Sequence, residues 1–79
     1  MERNEIYEIL QEIFASLFGD DVPTLTDETT ARDVDGWDSL MHITLISEVE
    51  NRFDMKFTMK DVIGMQNVGE MVDLIEENV

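Results

Sequence analysis

Apolar residues recur every three or four positions along much of this chain, the spacing that places side chains on one face of an α-helix. The first such stretch covers residues 4–18, where Asn4 is the expected cap and Gly19 the expected stop. Its apolar stripe consists of Ile6, Ile9, Leu10, Ile13, Phe14, Leu17 and Phe18. This pattern predicts an amphipathic first helix.

A second helix is predicted to begin at Asp38 or Ser39 and to run to about Phe53. At 1.5 Å per residue it would be a rod of roughly 22 Å. The positions expected to face the core are Leu40, Ile43, Ile46, Val49 and Phe53, with Met41 and Leu45 broadening the stripe.

Two further helices are predicted in the last third of the chain. Thr58 is the expected cap of a short helix over Met59–Ile63, with Asp61 at the capping-box spacing and Gly64 at its end. The last helix is expected to start at Asn67. Its apolar stripe consists of Val68, Met71, Val72, Ile75 and Val79.

Between the first two helices, residues 19–37 contain the only proline and show no sustained hydrophobic period. We interpret them as a long surface loop with one short helical turn near Asp27–Arg32. Four of its residues are expected to pack against the helices, namely Val22, Leu25, Val34 and Trp37. The predicted fold is all-α: one domain, residues 1–79, forming a small bundle of three long helices and one short helix, with a long first loop.

Composition narrows the classes of function that this fold can serve. Nineteen acidic residues stand against five basic ones, giving a formal net charge of −14, which disfavours binding to nucleic acid or anionic membranes and favours basic protein surfaces. The chain has no cysteine and one histidine, so it can build neither a thiolate nucleophile nor a multi-histidine metal site. It has no apolar run long enough for a membrane span, and its N-terminus is charged from the second residue. We therefore expect a cytoplasmic monomer that holds no metal.

The segment Gly36-Trp37-Asp38-Ser39-Leu40 lies where the loop meets the second predicted helix. Ser39 falls in the first helical turn, where backbone N–H groups lack intrahelical partners and the helix dipole is positive, so a phosphate on its hydroxyl would be stabilised. Gly36 allows a sharp turn into the helix, and Asp38 can cap it. An Asp-Ser pair before an apolar run also fits any capped helix, so the pair alone does not decide between a modified serine and an ordinary cap.

The same segment resembles the attachment motif of acyl carrier proteins, in which the serine of Asp-Ser-Leu receives 4′-phosphopantetheine from coenzyme A. The resemblance continues without a gap from Asp38 to Ile75. Phe53-Asp54 is similar to the end of the family's second helix, Phe57-Thr58 to the entry of its short third helix, and residues 68–75 to its last helix.

This resemblance implies that Ser39 carries the arm, whose thiol forms thioesters with acyl groups; that agrees with a protein lacking cysteine of its own. The protein would then be no enzyme, and would present acyl groups to separate enzymes of fatty acid, polyketide or related biosynthesis while sheltering them among its helices. Asp38 would help engage the phosphopantetheinyl transferase, and Leu40 would contact partners and lie at the core edge. The other expected partners are acyl-loading and acyl-transferring enzymes with basic docking surfaces.

One departure from the family concerns the exposed face of the second helix. Many carriers of fatty acid synthesis place acidic residues there, whereas this chain has Met41, His42, Thr44 and Ser47, with Glu48 and Glu50 as the nearest acids. This half-neutral face favours a dedicated pathway with its own partner enzymes. His42, three residues past Ser39, is interpreted as a partly exposed surface residue in preference to a pH sensor or partner contact. The methionines either adapt the interior to an acyl chain or simply fill a small core.

The sequence also bears on several alternative functions. In an EF-hand, setting Gly36 at position six would put Ala31 first and His42 last, where carboxylates are needed, so a calcium loop is rejected. A hydrolase is disfavoured because no histidine is placed to activate Ser39 with a third residue. A peptidyl or aminoacyl carrier and an unmodified acidic interaction module stay open.

Overall fold

The computed structural model describes all 79 residues and contains four α-helices and one 3₁₀ turn. The helices are α1 (Arg3–Phe18), α2 (Ser39–Phe53), α3 (Met59–Gly64) and α4 (Val68–Asn78), and the turn spans Ala31–Asp33 within the first loop. The predicted all-α architecture, with three longer helices and one short one, is confirmed. None of the helices combines the length and hydrophobicity that crossing a lipid bilayer requires.

Side-chain caps define the starts of the last three helices as predicted. The Asp38 carboxylate accepts a hydrogen bond from the Met41 N–H at the start of α2. Thr58 and Asp61 form the expected reciprocal capping box at α3. Asn67 caps α4 by accepting from Glu70 N–H at 2.9 Å.

The start of α1 differs from the prediction. The helix begins at Arg3, and its cap is Glu2, which forms a capping box with Glu5. Asn4 lies inside the first turn, so the prediction that Asn4 caps the helix is wrong. Periodicity did not reveal this cap, because a glutamate in the capping position lies outside the usual Ser, Thr, Asp and Asn preference.

The core is one cluster of 15 buried apolar residues, contributed by α1, α2, α4, the first loop and the α2–α3 connection. They are Ile6, Leu10, Ile13, Phe14, Leu25, Val34, Leu45, Ile46, Val49, Phe53, Met55, Val68, Met71, Val72 and Ile75. Val22 and Trp37 pack against this cluster while partly exposed, so all four loop residues expected to pack against the helices do so.

Three residues predicted to face the core are exposed. Leu40 and Ile43 of α2 are 81% and 59% exposed, and Val79 is 42% exposed. α3, which lies beside the beginning of α2, is six residues long and contributes no buried residue, so it leaves the first turns of α2 uncovered. Val79 follows the last helical residue and donates its backbone N–H to Ile75 O as the C-terminal cap of α4.

The first loop is held against the start of α4 by two backbone hydrogen bonds. Val68 N–H donates to Thr29 O at 2.8 Å, and Gly69 N–H donates to Asp27 O at 3.0 Å. A Cβ atom at residue 69 would lie 2.8 Å from that same Asp27 oxygen. Glycine is therefore required for this close approach, which fixes the loop that leads to α2.

A cluster around Arg3 ties α1, the loop and α4 together. The Arg3 guanidinium contacts Asp27 at 3.0 Å and Asp73 at 2.9 Å and also pairs with Glu76, while the Tyr7 hydroxyl donates to Asp27. Hydrogen bonds from Tyr7 and Arg3 lower the pKa of the Asp27 carboxyl below its ordinary value. Burial, followed by the hydrogen bond to Asp27, raises the pKa of the Tyr7 hydroxyl.

Candidate functional site

Ser39 is the first residue of α2, and its side chain is exposed. Gly36, at a φ of +90°, makes the left-handed turn that brings the chain into the helix. Asp38 keeps an extended backbone, and its carboxylate accepts from Met41 N–H at 2.8 Å. The backbone N–H groups of Ser39 and Leu40 have no hydrogen-bond partner, so the positive end of the α2 dipole meets solvent beside the serine hydroxyl.

A cavity of about 460 Å³ opens beside Ser39 between α2 and α3. Its volume lies within the range of small-ligand sites in proteins, about 300–1,000 Å³. Seven of the twelve lining residues are hydrophobic. The lining consists of Ala31, Trp37, Asp38, Ser39, His42, Ile43, Val62, Ile63, Met65, Gln66, Asn67 and Met71. The exposed hydroxyl of Ser39 therefore stands at the edge of a largely apolar groove.

His42 is partly exposed, as interpreted from the sequence, and it also bridges three segments of the fold. Its Nδ1 accepts from the Trp37 indole N–H at 3.1 Å, and its Nε2 lies 3.4 Å from Val62 O on α3. The two rings stack with centroids 5.9 Å apart. His42 holds this position because the turn into α2 places Trp37 against it and α3 places the Val62 carbonyl beside it, contacts that the periodicity of one helix does not reveal.

The other residues that the sequence analysis singled out on α2 are either exposed or half-buried. Leu40 is exposed, so its expected place at the core edge is wrong, while a partner contact stays a prediction. Met41 is half-buried, and only Thr44 and Ser47 of the neutral set are exposed. Glu50 is also half-buried, because its carboxylate accepts from the Phe57 N–H at 2.9 Å.

Comparison with known proteins decides the family. A family described as "Phosphopantetheine attachment site" matches residues 8–75. An acyl carrier protein of Streptococcus pyogenes is 36% identical over 72 residues, which is 91% of this chain and 93% of the relative. The chain belongs to the acyl carrier protein family. An acyl carrier protein of Saccharopolyspora erythraea, 30% identical over 74 residues, covers 94% of this chain and 78% of the relative.

Membership of the carrier family also agrees with known structure. The solution NMR structure of a holo acyl carrier protein from Geobacter metallireducens superimposes with a TM-score of 0.83 at 39% identity, covering 91% of this chain and 83% of that one. The cofactor of the carrier family is covalently attached 4′-phosphopantetheine. Proteins of this kind interact with a phosphopantetheinyl transferase and with biosynthetic enzymes, and are generally not catalysts themselves.

Sequence reasoning missed the cavity and the Trp37–His42 contact. The sequence places Val62 and Ile63 in a short helix and does not indicate that both line the cavity. The available signal was weak: a lone tryptophan two residues before the serine and a lone histidine one helical turn after it.

Proposed function

We propose that Ser39 carries the 4′-phosphopantetheine arm and that residues 1–79 work as a single acyl carrier domain. One observation supports this assignment above the others: the exposed Ser39 hydroxyl begins α2 beside unpaired backbone N–H groups and a largely apolar cavity. A phosphodiester at this position gains from the positive end of the helix and keeps its charge in solvent.

The residues present fit the covalent group. When the arm is attached, a bond forms between Ser39 Oγ and the phosphorus nearer the pantetheine of coenzyme A. The bond from that phosphorus to the adenosine bisphosphate half breaks, and the hydroxyl proton passes to a base of the transferase. Asp38 holds the first turn of α2 in place by capping it and offers the transferase a negative charge, and the exposed Leu40 offers it an apolar contact.

The arm supplies a thiol that holds acyl groups as thioesters, and the cavity gives those groups a place out of water. Ile43, Val62 and Met65 provide apolar surface on its walls. Met65 and Met71 both line the cavity, which supports the interpretation that flexible methionines adapt the interior to cargo. Burial of an acyl chain here would favour the folded carrier by about 0.8 kcal/mol per fully buried methylene.

The partners follow from charge and from the exposed face of α2. A net charge of −14 favours acyl-loading and acyl-transferring enzymes with basic docking surfaces. Thr44 and Ser47 leave part of the exposed α2 face neutral, which favours a dedicated pathway over general fatty acid synthesis. We place the protein in the cytoplasm as a monomer that catalyses no reaction itself, with coenzyme A and the partner enzymes around it.

The proposal is tested by incubating the purified protein with coenzyme A and a broad-specificity phosphopantetheinyl transferase. Intact mass should rise by one phosphopantetheine, and Ser39→Ala should abolish the rise. Ser47→Ala is the matched control, since it removes another exposed hydroxyl of α2 and should leave the modification unchanged. An unchanged wild-type mass across several transferases would instead favour an unmodified interaction module.

A further inference from the structure

Two aromatic residues form one inner wall of the cavity beside Ser39. Trp37 lines the cavity and also packs against Phe14 of α1, with ring centroids 5.2 Å apart in an edge-to-face arrangement, and against Phe18 at 6.2 Å. Phe14 and Phe18 do not line the cavity. Trp37 therefore separates the cavity from the aromatic residues of α1.

His42 holds that wall in place. Its Nδ1 accepts from the Trp37 indole N–H at 3.1 Å while its ring stacks on the indole at 25° between planes. With Nδ1 accepting, the imidazole proton lies on Nε2, which points to Val62 O at 3.4 Å. The pair thus links the first loop, α2 and α3, and Trp37 cannot swing into the core because Phe14 is fully buried behind it.

We propose that the Trp37–His42 pair sets the length of acyl chain that the cavity accepts, a role that rests on the proposed attachment of the arm to Ser39. The two residues block growth of the chain toward Phe14 and Phe18 of α1.

Substitution of either residue changes the room available to the far end of the acyl chain, and the pair therefore determines chain-length specificity. His42→Ala removes the ring and leaves the Trp37 N–H without its acceptor, so the indole is free to tilt. Trp37→Phe shortens the wall and deletes the same hydrogen bond while it keeps an aromatic ring against Phe14. Both changes remove side-chain volume from the wall of the cavity that faces α1 without changing Ser39 or its cap.

The experiment loads the holo protein with a series of saturated acyl groups from butyryl to myristoyl and measures the Tm of each form. Because each Tm is compared with that of the holo form of the same variant, differences in basal stability cancel. The wild type should gain on the order of 2–3 °C per added methylene in this half-open groove, and the gain should level off once the chain reaches the Trp37–His42 pair. In both variants it should level off at least one two-carbon step later.

Thr44→Ala is the matched control, since Thr44 is exposed on α2 and does not line the cavity; its series should match the wild type. Emission from Trp37, the only tryptophan, gives a second readout and should shift only once the chain is long enough to reach it. Should His42→Ala unfold, Trp37→Phe carries the same prediction.

The inference is overturned if both variants level off at the same chain length as the wild type, or if the wild-type Tm does not depend on chain length. Failure to obtain holo protein at all is a different result, seen by intact mass before loading. That result contradicts the attachment to Ser39 itself.

Discussion

Replacing Asp38 tests separately the two roles assigned to its carboxylate, which are to cap α2 and to contact the transferase through its charge. In the structure it accepts from the Met41 N–H at 2.8 Å and closes the start of α2. Asp38→Ala removes this cap, which should cost about 1 kcal/mol of folding stability, equivalent to a fall in Tm of about 4–8 °C for a domain of this size. Asp38→Asn keeps an equally good capping oxygen and loses only the charge near the helix dipole, so it should cost less, about 0.3–1 kcal/mol.

Transferase recognition responds differently to the same two variants. If the charge of Asp38 meets a basic group of the transferase, losing that charge-assisted hydrogen bond should cost about 1.5–3 kcal/mol, a fall in kcat/KM for modification of about tenfold or more. Both variants should show this fall, although the alanine variant, which loses the cap as well as the charge, should be the less stable of the two. Thermal unfolding of the apo forms and initial rates of mass gain provide the assays. An alanine variant as stable as the wild type refutes the cap, and an asparagine variant modified at the wild-type rate refutes the charge contact.

Two further predictions concern the contacts that fix the first loop. Gly69→Ala puts a Cβ 2.8 Å from Asp27 O and should cost about 1–3 kcal/mol in urea unfolding, whereas Gly64→Ala, with nothing within 4 Å, should be nearly neutral; equal costs would contradict the clash. The lowered pKa of Asp27 means that its stabilising contribution is present above its ordinary pKa and lost as the pH falls through the lower folded value. Asp27→Asn should therefore lower Tm at neutral pH, with a difference from the wild type that shrinks in acid; a difference independent of pH would contradict the pairing with Arg3 and Tyr7.

Much of the site could be predicted from the sequence because local interactions set its position. Gly36 and the Asp38 cap are sequence neighbours of Ser39, and together they fix where α2 begins. The capping signals at Thr58 and Asn67 are equally local, so the starts of α3 and α4 followed from the sequence.

The features of the site that the sequence did not predict depend on tertiary contacts, which hydrophobic periodicity does not encode. Leu40 and Ile43 continue the apolar stripe of α2, yet α3 is too short to cover them, and they stay exposed beside the groove. His42 bridges three segments because the first loop places Trp37 against it and α3 places the Val62 carbonyl beside it. A pattern along one helix reports which face is apolar and gives no account of what covers that face.

Site-localised mass spectrometry of the protein purified from its native cells tests the central claim most directly. Fragmentation should place the phosphopantetheine arm on Ser39, and the other two serines, Ser16 and Ser47, should be unmodified. The assignment of Ser39 as the attachment site would be contradicted if the arm were found on another residue. It would also be contradicted if the protein carried no arm in cells that contain active phosphopantetheinyl transferases.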